Sequence, residues 1–241
     1  MLRRLLAPLV VVLAVTACGG GAEERGRSTA PDRPPSPSTT ATPSPTPDRP
    51  RPRPHRGVDA SHHQGRIDWQ RVAGDRIGFA YLKATEGSTY TDPTFVDHAR
   101  AARRAGLRVG GYHYFSTCSP GAPQATHFAE VLAAAPARTM PPAIDLELLG
   151  NCADPPPRTD LLRELRVFLD EVEHRTRQRV VVYAYPDFED RYRVRAALDR
   201  RLWVRRIGDT PPAGEWWLWQ RDDQATIDGI DGPADLNVLA R

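Results

Sequence analysis

The 241-residue chain has three cysteines, and it lacks most of the motifs that announce a chemistry. No His-Glu-x-x-His run and no paired Cys/His spacing is present, so nothing arranges ligands for a metal. Asp59, His62, His63 and Asp145 would have to serve instead. The adjacency of His62 and His63 sends them to opposite faces of any extended chain. No metal or cofactor is expected. Ser61 has no Gly-x-Ser-x-Gly elbow around it, which excludes the usual hydrolase nucleophile turn. The first strand is not followed by a glycine-rich phosphate loop, the mark of a dinucleotide-binding open sheet. The folded part also lacks a basic excess. Residues 1–56 hold nine arginines against four acids, so the net charge of +3 leaves residues 57–241 slightly acidic. A nucleic-acid partner is therefore not expected.

What is present begins with an export signal. Leu2-Arg3-Arg4 forms a basic start, and the apolar run Leu5 to Val15 is too short to span a bilayer comfortably. Val15-Thr16-Ala17-Cys18 then resembles the lipobox of bacterial lipoproteins, in which the cysteine is acylated; ordinary cleavage near Ala17 is the alternative. With Cys18 set aside for lipid, Cys118 and Cys152 remain as a pair, and an oxidising compartment favours a disulfide. Residues 19–56 show no hydrophobic periodicity and hold ten prolines between Pro31 and Pro54. Such a stretch cannot offset its ordering entropy by burial. It reads as a polyproline-like tether reaching on the order of 100 Å at ~3 Å per residue. The expected location is the outer face of the cell membrane, with the membrane partner reached through Cys18.

From Gly57 strands and helices alternate. Strands are expected at Gly57–Ala60, Ile77–Ala84, Arg108–Phe115, around Asp145, at Arg179–Tyr185, Leu202–Ile207, Trp216–Gln220 and Leu236–Leu239. Helices are expected from Asp68, which caps the first, and over Pro93–Ala105, Gln124–Ala134, Thr159–Arg175 and Phe188–Leu198. The longest carries a clear apolar stripe of Leu161, Leu162, Leu165, Phe168, Leu169 and Val172. This pattern predicts an α/β fold, an incomplete or irregular TIM-like β/α barrel of about five βα units closed by additional strands. A doubly wound open sheet is the structural alternative.

The most informative stretch is Pro141-Pro142-Ala143-Ile144-Asp145-Leu146-Glu147. Its period of two puts Ala143, Asp145 and Glu147 on one face and Ile144 and Leu146 on the other. Two carboxylates on such a strand need a wet or reactive surface. Function in a parallel barrel gathers at the C-terminal ends of the strands. Asp59, Lys83, Glu86, His113, Asp145, Glu147, Tyr183 or Tyr185, Gln220 and Asp235 all fall there, together with Tyr112, Tyr114 and Trp217 or Trp219. Acids ringed by aromatics suit glycoside hydrolysis: one acid protonates the leaving oxygen, a second charge supports an oxocarbenium-like centre, and flat rings stack on sugars.

Several motifs are similar to those of glycoside hydrolase family 25 lysozymes. They are Gly57-Val58-Asp59-x-Ser61-x-x-Gln64-Gly65, Ile67-Asp68-Trp69, Lys83-Ala84-Thr85-Glu86-Gly87, Asp92-Pro93-x-Phe95, Tyr112-His113-x-Phe115, Asp145-x-Glu147, Trp219-Gln220 and Asp235-Leu236-Asn237. The resemblance covers essentially all of 57–241 and implies cleavage of the β-1,4 bond between N-acetylmuramic acid and N-acetylglucosamine in peptidoglycan. It implies Glu147 as general acid, and Asp145 as the neighbouring acid that orients the substrate N-acetyl group or stabilises charge. Asp59 and Asp235 become the two further acids of the cleft. Tyr112, His113, Tyr114, Lys83, Tyr183, Trp219 and Gln220 are expected to bind peptidoglycan glycan strands. The nucleophile stays open between a protein carboxylate and the N-acetyl oxygen. Arg221 departs from the family by replacing an aromatic after Trp-Gln. A monomer is expected, and the alternative function is a wall-binding barrel that has lost catalysis.

Overall fold

A computed structural model describes residues 55–135 and 139–240. The expected leader, Cys18 and nearly all of the tether lie outside the described residues.

The strands are β1 (Arg56–Ala60), β2 (Ile77–Glu86), β3 (Tyr90–Thr91), β4 (Arg108–Tyr114), β5 (Ala143–Leu146), β6 (Val181–Ala184), β7 (Leu202–Arg205), β8 (Leu218–Ala225) and β9 (Ala234–Leu239). Neighbouring strands from β1 through β2, β4, β5, β6, β7 to β8 pair in parallel; β9 runs antiparallel between β8 and β1 and closes the ring. The short β3 forms a hairpin on β2. Helices α1 (Trp69–Gly74), α2 (Phe95–Arg104), α3 (Gly121–Ala134) and α4 (Arg158–Thr176) follow β1, β3, β4 and β5; α5 (Pro186–Tyr192) and α6 (Val194–Leu198) follow β6. The expected irregular barrel of five βα units and helix-poor closing strands is the fold observed.

Alternation along each strand builds two cores. Outward residues such as Val58, Leu82, Ile144, Leu146, Val182 and Leu236 pack under the helices, where the whole α4 stripe from Leu161 to Val172 is buried. Each such side chain contributes roughly 1.5–3 kcal/mol. Inward residues Phe79, Tyr81, Met140, Ala143, Val181, Tyr183, Trp203 and Leu218 plug the lumen. Gly110 is required there, because a Cβ would fall 2.4 Å from the Tyr81 ring. On the outer face Gly121 lets α3 touch α4, since a Cβ would lie 2.1 Å from the Glu164 carbonyl oxygen.

Local chemistry explains the boundaries. Asp68 caps α1 by accepting from the backbone N–H groups of Gln70 and Arg71. The expected helix 188–198 is instead two helices, because Arg193 adopts a left-handed φ of 50° between α5 and α6. The strand expected to end at Gln220 continues to Ala225 and pairs with β9 with register shifts at Asp222 and Ala225. Ser61 accepts from His63 N–H while Gln64 accepts from Ser61 N–H, so Ser-x-x-Gln is a capping box. His62 and His63 therefore sit on a 3-10 turn rather than an extended chain, with ring centroids 4.0 Å apart. Cys118 and Cys152 are bonded, 5.5 Å apart at Cα, joining the loop after β4 to the loop after β5.

Candidate active site

The inward parity that fills the lumen with apolar rings changes character toward the C-terminal ends of the parallel strands. Asp59, Tyr112, Asp145, Glu147, Tyr183, Trp203, Gln220 and Asp235 line one cavity of about 130 Å³. Asp59 and Asp235 face each other across the antiparallel β1–β9 pair, and Asp145 stands between Tyr114 and Tyr183 in register. All four expected acids are thus brought together.

The Asp59 side of the cavity is heavily hydrogen-bonded. Asn237 Nδ2 donates to Asp59 Oδ2 at 2.6 Å, and Gln220 Nε2 approaches the same oxygen at 3.5 Å. Trp203 Nε1 donates to Asn237 Oδ1 at 2.8 Å, and Tyr183 Oη donates to Gln220 Oε1 at 3.0 Å. Burial and the nearby Asp235 push the Asp59 carboxyl well above its ordinary range, against the donors Asn237 and Gln220. Burial also raises Asp235, to about 6, with Asp59 opposing as a hydrogen-bond partner.

The Asp145 side is less satisfied. Asp145 Oδ1 is buried and has no hydrogen-bond partner among the described residues. Burial and the Glu147 charge hold the Asp145 carboxyl well above its ordinary range, with Lys83 opposing. Burial lifts Glu147 to about 7, with Asp187 adding to the rise and Arg205 and Lys83 opposing it. A carboxyl at that level keeps its proton near neutrality, as a general acid must.

Other expected site residues divide by strand parity. Tyr112, Tyr183 and Gln220 line the cavity. Lys83 and Tyr114 lie at its rim: Lys83 Nζ sits 5.0 Å above the Tyr114 ring and 2.6 Å from Glu86 Oε2, and Tyr114 Oη donates to the Leu149 carbonyl. His113 is not in the cleft. It is fully buried on the outer face, stacked 4.9 Å from Phe168, with Nδ1 on Thr85 Oγ1 at 2.8 Å and Nε2 on Gln124 Oε1 at 3.1 Å. Burial lowers its pKa to about 3, so it stays neutral. Trp219 also points outward. Its Nε1 donates to the Arg206 carbonyl at 2.6 Å, and Arg221 lies over its ring while paired with Asp209. Both corrections have one cause: neighbours in a strand face opposite ways, so Tyr112 and Gln220 in the lumen exclude His113 and Trp219.

Three participants were not anticipated. Trp203 lines the cavity, Asn237 fixes Asp59, and Arg205 pairs with Asp223 beneath the Tyr185 ring while pulling on both Glu147 and Asp235. Asn237 was within reach, since it stands two residues after Asp235 and so shares its face. Trp203 and Arg205 required the β7 register.

Comparison with known proteins supplies the family. Residues 58–230 match the family described as glycosyl hydrolases family 25. The uncharacterized protein YegX of Escherichia coli K12 is 33% identical over 191 residues, covering 76% of this chain and 68% of that protein. The autolytic lysozyme of Clostridium acetobutylicum is 31% identical over 188 residues, covering 77% of this chain and 56% of that protein. The crystal structure of a Streptomyces coelicolor lysozyme superposes with a TM-score of 0.69 at 27% identity, covering 78% of this chain and 93% of that one. With residues 58–230 matched to that family and a relative 33% identical over 191 residues, the chain belongs to glycosyl hydrolases family 25.

Proposed function

We propose that the barrel hydrolyses the β-1,4 bond between N-acetylmuramic acid and N-acetylglucosamine, with Glu147 as the general acid. The observation that carries this is the pair Asp145 and Glu147 on one wall of the cavity, where a buried Asp145 oxygen lacks a donor among the described residues and burial lifts Glu147 to about 7. Glu147 gives its proton to the bridging oxygen as the C1–O bond breaks. The substrate's acetamido oxygen then closes onto C1, and Asp145 Oδ1 accepts the acetamido N–H that this step makes more acidic. Glu147, now a carboxylate, takes a proton from the water that reopens the ring at C1, which restores the starting state. Asp235, raised only to about 6, adds negative charge on the facing wall beside Asp59, which favours the oxocarbenium-like centre. Tyr112, Tyr183 and Trp203 offer rings and edges to the sugars, while Lys83 and Tyr114 form the outer lip.

Digestion of purified cell walls tests the reading. Clearing is expected, with muramic acid at the new reducing ends by mass analysis. Binding without clearing would leave only a wall-binding module, and N-acetylglucosamine at the reducing ends would make the bond assignment wrong. The same reading places the protein outside the cell as a monomer: residues 1–18 direct export, Cys18 carries lipid, residues 19–56 form a tether, and 57–241 do the chemistry. Cys18→Ala is expected to move the protein from the membrane fraction to the soluble one. Retention in the membrane would assign the anchor to Leu5–Val15 instead.

A further inference from the structure

The two ends of the barrel carry opposite charge. Around the mouth the acids Asp145, Glu147, Asp187, Asp223 and Asp235 outnumber the cations Lys83 and Arg205. At the other end, the turns that lead from helices into strands, together with the start of β1, carry Arg56, Arg76, Arg104, Arg177, Arg179 and Arg201. All but Arg56 are exposed. Among the nearby acids, Glu171 pairs with Arg175 and Glu173 holds Arg200 at 2.6 Å, while Glu215 lies in the same cleft as Arg179 and Arg201. Arg179 donates to the Asp199 carbonyl at 2.5 Å, and its charge meets only the fully exposed Asp199 carboxylate at 3.7 Å, a pairing that solvent weakens. Arg201 lies 5.4 Å over the Trp217 ring, which adds an aromatic edge to the basic face.

The chain enters the barrel at this same end. The His55 carbonyl accepts from Leu239 N–H, and Arg49, Arg51 and Arg53 precede it in the sequence. We infer that this basic face docks on the anionic phospholipid headgroups of the membrane surface, holding the acidic mouth outward. The chemistry fits: guanidinium groups take phosphate oxygens in pairs, each cation near an anionic leaflet adds on the order of 1 kcal/mol, and an aromatic edge suits the headgroup layer. The proposal draws on the lipid-anchor reading only for where the membrane is met, because docking itself needs no acyl chain.

The test uses residues 19–241, which lack the leader and Cys18. The ring of strand pairings closes within the described residues, and the solved lysozyme chain is 93% covered by the match, so this piece contains a complete folded barrel. Co-sedimentation is measured with vesicles of phosphatidylcholine containing about 30% phosphatidylglycerol, with pure phosphatidylcholine as reference. Binding to the anionic vesicles alone is expected, fading as salt is added. The triple variant Arg104→Glu, Arg177→Glu, Arg179→Glu should bind on the order of 100-fold more weakly, from about three lost cation contributions. Its clearing of cell walls should be unchanged, since these residues lie at the end remote from the cleft; this separates failure here from failure of the hydrolase reading. Equal binding by parent and variant, equal binding to both vesicles, or no vesicle binding with capture by soluble polyphosphate would each overturn the proposal.

Discussion

Two pairs of acids face each other in one cavity, and they are held in different ways. Asp59 and Asp235 sit in a finished network: Asn237 and Gln220 donate to Asp59, and Trp203 and Tyr183 fix those amides in turn. Asp145 and Glu147 have each other, the distant pull of Lys83, and one buried oxygen left over. An unsatisfied buried acceptor costs about 1–3 kcal/mol, so a fold retains one where a ligand will complete it. On the proposed mechanism, the satisfied wall shapes the field, while the unsatisfied wall handles protons and substrate.

The largest effects should fall on the unsatisfied wall. Glu147→Gln keeps the shape and removes the transferable proton, and kcat on cell walls is expected to drop about 10³-fold with wall binding retained. Near-normal turnover would reassign the acid. Asp145→Asn replaces an acceptor with an amide that can present its N–H to the acetamido group, and kcat should fall about 10²-fold. Asp59→Asn leaves a group that Asn237 and Gln220 still surround, so its loss should be smaller, on the order of tenfold. A larger loss at Asp59 than at Asp145 would invert the comparison.

Much of this contrast was legible beforehand, and its limits are instructive. The alternation in Ala143–Glu147 put both acids on one face, and the helix stripe of Leu161–Val172 and the Asp68 cap placed elements correctly, because each follows from local periodicity or local hydrogen bonding. The same periodicity forbids Tyr112 and His113, or Trp219 and Gln220, from sharing a face. What it does not supply is which face is the lumen, since that depends on how β4 and β8 register against strands far away in sequence. The split of helix 188–198 escaped for a different reason: a left-handed Arg193 has no residue signature of the kind glycine provides.

A smaller effect tests the satisfied wall. Asn237→Ala leaves Asp59 Oδ2 and Trp203 Nε1 without their main partners, and stability should fall by about 1–3 kcal/mol in urea unfolding. Glu147→Gln should move stability the other way. Glu147 titrates near 7 in the folded state, above its ordinary 4.5. Between those values the folded chain holds a proton that the unfolded chain releases, so this group's contribution to stability declines as pH rises through that window. Removing the ionisable group should therefore add about 3 kcal/mol at pH above ~7 and nothing below ~4. A loss of stability above pH ~7 instead would mean that the carboxyl is charged and paired in the fold.

Arg205 gives the finest discrimination, because it touches both walls. It lowers Glu147 and Asp235 and is itself paired with Asp223, whose charge raises Asp235. Arg205→Ala removes a cation from both acids and frees the Asp223 carboxylate, and the two changes act in the same direction. The alkaline limb of kcat/KM, set by the proton on Glu147, should move upward by about half a pH unit, while the maximum changes little. A merely structural arginine would lower the maximum without moving the limb. A downward shift would mean that the limb belongs to the Asp59–Asp235 wall, and the division of labour between the two walls would have to be redrawn.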